Sequence, residues 1–354
     1  LGDVSGEPAK KAFPGVVLIH GGGGTAFSEW VHLWAKRGYA AIAMDLSGRR
    51  PPDPEYDART GAYLRDMGND VKTRTRLEHG GPEHGHPEKF DSIGGDHTDD
   101  WPWHAVSSVV LAHSLLRSFP EVDPDRTAVT GISWGGYTTC LVASVDSRFQ
   151  AAVPVYGCGF LFEGESVQKK AIDALDPERR ALWIKRYDPS SHLGNCHVPI
   201  FFVNGSHDIH YPLDSYARCY ALVPGEKQIR IEPRMRHGHP PGWAPQEIGW
   251  FIDSHCNGGT PLPHPGPPVL NADGTVTVTV ESPTPIKEAT LHYTEADGLR
   301  SEREWKSVPA TVAGKTLTTP ALPAAANTWF ITLTDDRGAM VSTEIRFTGG
   351  AIQP

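Results

Sequence analysis

TAVTGISWGGYTTC, residues 127–140, is the stretch whose reading decides the fold. An apolar, β-branched run (127–132) gives way at Ser133 to a segment with helical character over 135–145. Gly131-Ile132-Ser133-Trp134-Gly135 matches Gly-x-Ser-x-Gly. That pattern suits a sharp strand-to-helix turn which lifts a serine hydroxyl clear of a sheet, with glycines where side chains would clash. The pentapeptide also occurs as a plain turn, so its surroundings must decide whether Ser133 is a nucleophile.

Working outward, short β-branched runs alternate with helical patterns up to about residue 257, which predicts a mostly parallel sheet flanked by crossover helices. The strands are expected at 15–20, 39–46, 127–132, 149–156, 198–204 and 228–233. The helices are expected at 26–37, 103–118, 135–145, 212–222 and 244–255. In the second of these helices Val106, Val109, Val110, His113 and Leu116 recur at helical spacing and predict its buried face. A long segment at about 50–102, rich in Gly, Pro, His and charge, reads as a functional insertion or a disordered loop. The proline-rich 261–268 reads as a linker, and the period-two alternation of 269–354 as an all-β sandwich of immunoglobulin-like kind. The catalytic-type region is thus 1–260, and there is no internal repeat.

A serine hydroxyl needs a base, and the base needs an acid to hold it. Asp208, in NGSHDIHYP, follows the strand at 198–204, and His237, in RMRHGHPPGW, follows the last strand. Loops leaving the carboxyl edge of a parallel sheet converge, so both can reach Ser133. His239 competes with His237 from the same loop, while His207 and His210 flank Asp208 in the wrong loop. Asp214 is the rival acid but falls at the start of a helix, where it suits a cap or dipole partner. An oxyanion needs preorganised N–H donors, which the glycine run His20-Gly21-Gly22-Gly23-Gly24 and the amide of Trp134 can offer. The run lacks the spacing of a nucleotide-binding loop.

With these residues in place, the first 257 residues resemble the α/β-hydrolase superfamily, and more narrowly the bacterial acetyl xylan esterase and dienelactone hydrolase group. HGGGGTAFSEW, RGYAAIAMDLSG, HSLLRSFPEVDPDRTAVTGISWGGY, AAVPVYGCG, NGSHDIHYPLDSY and RMRHGHPPGW carry the resemblance. It implies a serine esterase with Ser133 as nucleophile, Asp208 as acid and His237 as base. It also implies an oxyanion hole from Gly22 or Gly23 with Trp134, and no cofactor. Departures are plain. Only 14 residues precede the first strand, where this fold commonly has two more, and Ser133 stands where dienelactone hydrolases typically use cysteine.

The substrate expected is a short-chain acyl ester, such as an acetylated carbohydrate. The alternatives are a peptidase of the prolyl oligopeptidase type and a non-catalytic binding protein on the same scaffold. Trp101, Trp103 and Trp183 are the aromatic side chains expected at the substrate, with core packing as the competing role. Phe160, Phe162 and Tyr187 come from the same loops. His79, Glu83, His84 and His86 lie close together but without helical pairing, so no metal site is expected.

The formal net charge of -9 gives no reason to expect nucleic acid or an anionic membrane. No apolar run approaches the roughly 20 residues that span a bilayer. LGDVSGEPAK lacks signal-peptide features, and the start at Leu1 leaves open a removed leader and a secreted or periplasmic location. Five cysteines without paired spacing imply neither a disulfide framework nor zinc, though one bridge stays open. Oligomeric state leaves no trace in the sequence.

Overall fold

The computed structural model describes residues 12–348 of the chain, so LGDVSGEPAK and the end from 349 onward lie outside the described residues. Each expected strand of the first region forms: β1 (Phe13–Ile19), β2 (Ala40–Met44), β3 (Val122–Ile132), β4 (Ala151–Val155), β5 (Ile200–Gly205) and β6 (Lys227–Glu232). They pair in parallel in the order β2-β1-β3-β4-β5-β6. Val16, Val17, Leu18 and Ile19 are all buried, as strands covered on both faces must be.

Helices α1 (Ser28–Lys36), α2 (Trp101–Ser118), α3 (Trp134–Val145), α5 (Leu213–Leu222) and α7 (Gln246–Cys256) stand where their periodicity predicts. The buried face of α2 is Ala105, Val109, Ala112, His113 and Leu116, whereas Val106 and Val110 are only half-buried at its flank. Three helices among the described residues were not anticipated, the shortest pair being Lys169–Asp173 and His239–Trp243. The start of α4 (Pro177–Tyr187) carries a legible signal, Asp176 accepting from the N–H groups of Glu178 and Arg179 with Pro177 at the first position. Five-residue α6 (His239–Trp243) carries Pro240 and Pro241 in its first turn but no capping side chain. No helix among the described residues is long and apolar enough to cross a membrane.

Past the proline-rich stretch the strands are antiparallel: β7 (Val276–Glu281), β8 (Ile286–Thr294), β9 (Lys306–Ala313), β10 (Thr316–Thr318), β11 (Thr328–Asp335) and β12 (Met340–Ser342). In β7, Val276, Val278 and Val280 are buried and the residues between them are not, the alternation read from the sequence. These strands continue the first sheet, because β12 lies antiparallel along β6 with Ser342 opposite Ile229. The stretch read as a linker is packed: Leu262 is buried, His264 pairs with Glu281, and Arg337 donates to the carbonyls of Thr260 and Pro261. All five cysteines are buried free thiols, so no bridge forms.

Beneath the sheet, fully buried His113 is held by Asp146 (Nδ1 to Oδ2, 2.8 Å) and Thr127 (Nε2 to Oγ1, 2.8 Å), and it stacks on Phe149. Arg148 adds a 2.6 Å ion pair to Asp146. Burial pushes the Asp146 carboxyl up, but hydrogen bonds from Arg148 and His113 outweigh it and hold the group well below the usual carboxylate range. Removing one partner of such a buried pair leaves the others uncompensated. Asp146→Ala is therefore expected to lower unfolding free energy by about 3 kcal/mol in urea titrations at neutral pH. Because the folded carboxyl titrates below the unfolded one, this difference is full above about pH 4 and shrinks on further acidification.

Candidate active site

Ser133 sits between β3 and α3 with φ 60° and ψ -118°, a left-handed conformation rarely tolerated outside glycine. Its N–H donates to the Val155 carbonyl (2.8 Å) and its carbonyl accepts from Tyr137 N–H (2.9 Å), so neighbouring backbone holds the turn. A Cβ at Gly131 would lie 2.3 Å from the Gly135 carbonyl oxygen, and one at Gly135 would lie 2.0 Å from that of Ile19. Both glycines are therefore demanded by close approach.

The structure brings Ser133, Asp208 and His237 together. His237 Nε2 lies 2.9 Å from Ser133 Oγ and Nδ1 lies 2.6 Å from Asp208 Oδ2. A carboxylate only accepts, so the imidazole proton sits on Nδ1 and leaves Nε2 free to accept the serine hydroxyl. Asp208 is 6% exposed, and its other oxygen accepts from the N–H groups of His210 (2.8 Å) and Tyr211 (2.9 Å). The His237 ring packs against Tyr156, whose hydroxyl donates to the Arg236 carbonyl (2.6 Å). Asp214 instead faces Arg300 at 3.3 Å.

His239 has a different position from His237: its Nε2 accepts the N–H of Gly21 at 3.0 Å. Burial, with the nearby His20 and His237, pushes this imidazole down to about 4, so it stays neutral and able to accept. The glycine run is fastened from other sides too. His20 accepts the Leu46 N–H at Nε2 (2.8 Å) and donates from Nδ1 to the Gly21 carbonyl (2.7 Å). Buried Arg74, from the insertion, donates to the carbonyls of Gly23 (3.1 Å) and Gly24 (2.6 Å). Among the described residues the N–H groups of Gly22, Gly23 and Trp134 have no intramolecular acceptor. A Cβ at Gly21 would lie 2.8 Å from Ser133 Cβ, so the run abuts the serine.

The expected substrate aromatics are placed otherwise. Trp101 and Trp183 are completely buried, their Nε1–H groups donating to the carbonyls of Leu46 (2.6 Å) and Lys89 (2.7 Å). They have no surface to offer a substrate and instead tie the insertion to the loop after β2 and to α4. Trp103 is 37% exposed, against His97 and His104, and lines a surface cavity of about 210 Å³ with Pro102, Val145 and His192. The insertion brings other groups to Trp134: the His84 and Phe90 rings lie within 6.1 Å, and the Lys89 ammonium lies 4.7 Å above it. Burial lowers the Lys89 ammonium to about 8. Glu83 pairs with Arg49 (2.9 Å), and no group of three His, Cys, Asp or Glu among the described residues is placed to hold a metal. Arg74, Lys89 and Tyr211 escaped the sequence reading; Tyr211 alone had a signal, its place three residues after Asp208.

A parallel sheet with a serine elbow, an acid and a base at successive strand ends defines the α/β-hydrolase class. The dienelactone hydrolase family model matches residues 2–220, and the chain belongs to that family. A second model, that of PhoPQ-activated pathogenicity-related protein, matches residues 164–301. Among solved structures, the acetyl xylan esterase from Paenibacillus sp. R4 is similar, with a TM-score of 0.52 and 22% identity, over 71% of this chain and 77% of that one. Acetyl xylan esterase 1 from Thermoanaerobacterium sp. JW/SL YS485 gives 0.50 and 16%, over 69% and 75%. A curated relative in Bacillus subtilis (strain 168), uncharacterized peptidase YuxL, is 24% identical over 253 residues, and this chain covers 32% of its length.

Neutral His239 has a consequence in acid. Its folded value of about 4 lies below the unfolded value near 6.5, so the stability it supplies is full above pH 6.5 and is lost as pH falls toward 4. His239→Gln, which keeps an acceptor for Gly21 without a titrating ring, should flatten that limb of a Tm-against-pH profile. Equal slopes in parent and variant would contradict the assignment.

Proposed function

We propose that the protein is a serine carboxylic ester hydrolase acting through an acyl-enzyme. The observation that carries this reading is the continuous relay from Ser133 Oγ through His237 to Asp208, at 2.9 and 2.6 Å, on a turn held in a strained conformation. Ser133 attacks the ester carbonyl while its proton passes to His237 Nε2. The tetrahedral oxyanion is received by the amides of Trp134 and of Gly22 or Gly23. Collapse expels the alcohol, protonated by His237. Water then attacks the acyl-enzyme by the same route, releasing the acid. No step calls on a metal or cofactor.

The substrate class we favour is a short acyl ester, acetyl on carbohydrate foremost. Two solved relatives described as acetyl xylan esterases support this choice. We further take residues 269–354 to be a β-sandwich domain that covers the hydrolase part. The word peptidase in the description of the curated relative supports the second reading, cleavage of an amide by the same relay.

The test is hydrolysis of p-nitrophenyl acetate, a longer-chain ester and a matched anilide. The parent should prefer the acetate, and Ser133→Ala should lower kcat by roughly 10³-fold or more. Equal ester rates in parent and variant would falsify the reading, and an anilide rate rivalling the ester would favour the peptidase. Arg74→Ala, which frees two carbonyls of the glycine run, should lower kcat roughly 10-fold with little change in KM, because the affected donors act on the transition state.

A further inference from the structure

Tyr211 lies in Asp208-Ile209-His210-Tyr211-Pro212, and the turn that aims the acid also places the tyrosine. Asp208 Oδ1 accepts the Tyr211 N–H (2.9 Å), and buried Asn204 donates from Nδ2 to the Tyr211 carbonyl (2.8 Å), so the residue is pinned at both backbone groups. Its ring is completely buried and lies parallel to the His237 imidazole, with centroids 6.4 Å apart. The hydroxyl faces the Ser133 side chain but closes no well-formed hydrogen bond to any described residue.

A buried hydroxyl without a partner opposes folding, and phenylalanine would fill the same space without that penalty. Packing alone therefore does not account for tyrosine here. The donor becomes useful when negative charge gathers on Ser133 Oγ. It gathers first in acylation, as Oγ passes its proton to His237 and bonds to carbon. In deacylation Oγ is the leaving group. Water adds to the acyl carbon and gives its proton to His237 Nε2. The C–Oγ bond then breaks, its electron pair goes to Oγ, and Oγ recovers a proton from His237.

We propose that Tyr211 is a further catalytic residue, whose O–H donates to Ser133 Oγ as Oγ attacks the ester and again as it leaves the acyl-enzyme. Tyr211 keeps its own proton throughout, and burial, which holds the phenol well above its usual range, keeps it a donor. The inference rests on the serine esterase reading above.

The test is stopped-flow hydrolysis of p-nitrophenyl acetate by the parent, Tyr211→Phe and Ser133→Ala, with the Tm of each. Tyr211→Phe should turn over roughly 10- to 100-fold more slowly, the range for a hydrogen bond to a charged group. kcat/KM should fall in step with kcat, because charge gathers on Oγ in both attack and departure. Its Tm should equal or exceed that of the parent, since an unpartnered hydroxyl has been removed. Two results would each overturn the proposal: kcat within twofold of the parent, or a Tm loss that assigns the hydroxyl to the fold. Ser133→Ala separates the two levels. If it is dead while Tyr211→Phe is unchanged, only the role of Tyr211 falls; if it is as active as the parent, the serine reading falls and takes this inference with it.

Discussion

Backbone pressed directly against backbone around Ser133 is the constraint on which the rest depends. The first turn of α3 enters between β1 and β4 with no side chain at its contact points. A Cβ at Gly136 would lie 2.4 Å from the Val155 carbonyl oxygen, and one at Gly157 would lie 1.9 Å from the Gly136 carbonyl carbon. This contact lets the helix start close over the strand ends. It also forces the abrupt change of direction at Ser133 that leaves the hydroxyl on the side where the loops after β5 and β6 arrive. Strain stored at one residue is sustained because the flanking strands and helix are packed too tightly to relax.

Much of this was legible in the sequence, for a topological reason. In a parallel sheet every strand exits at the same edge, so locating the strands at 198–204 and 228–233 also located Asp208 and His237 relative to Ser133. Groups whose partners are main-chain atoms were much less legible. Arg74 grips two glycine carbonyls, a bond that any loop arginine of suitable reach could make, and no residue pattern marks it. The aromatic residues failed in the opposite direction. Their composition suggested a binding surface, but the indole N–H groups of Trp101 and Trp183 found carbonyls inside the protein, and that satisfaction permits full burial. Prolines at 261–268 suggested a loose tether, yet proline is compatible with an edge strand, and His264 and Pro265 pair with β7.

The insertion at 50–102 does more than roof the sheet. Asp66 accepts the N–H and hydroxyl of Ser28 at the start of α1, Arg74 fixes the glycine run, and Lys89 lies over Trp134. It thus delivers positive charge to a region where the proposed chemistry develops negative charge, in a chain whose net charge is negative. The parallel sheet carries the relay of Ser133, His237 and Asp208, and the insertion sets the field around it.

Covering β6 with β12 bears on how the chain is made. A ribosome delivers β1 to β6 well before residues 340–342, so the parallel sheet can assemble while the outer side of β6 still presents unpaired main-chain donors and acceptors. Such an open border is a template for another nascent copy. β12 closes it, with the Ser342 hydroxyl accepting the N–H of Ile231 at 2.8 Å. Solubility during synthesis therefore depends on how quickly residues 233–342 follow β6.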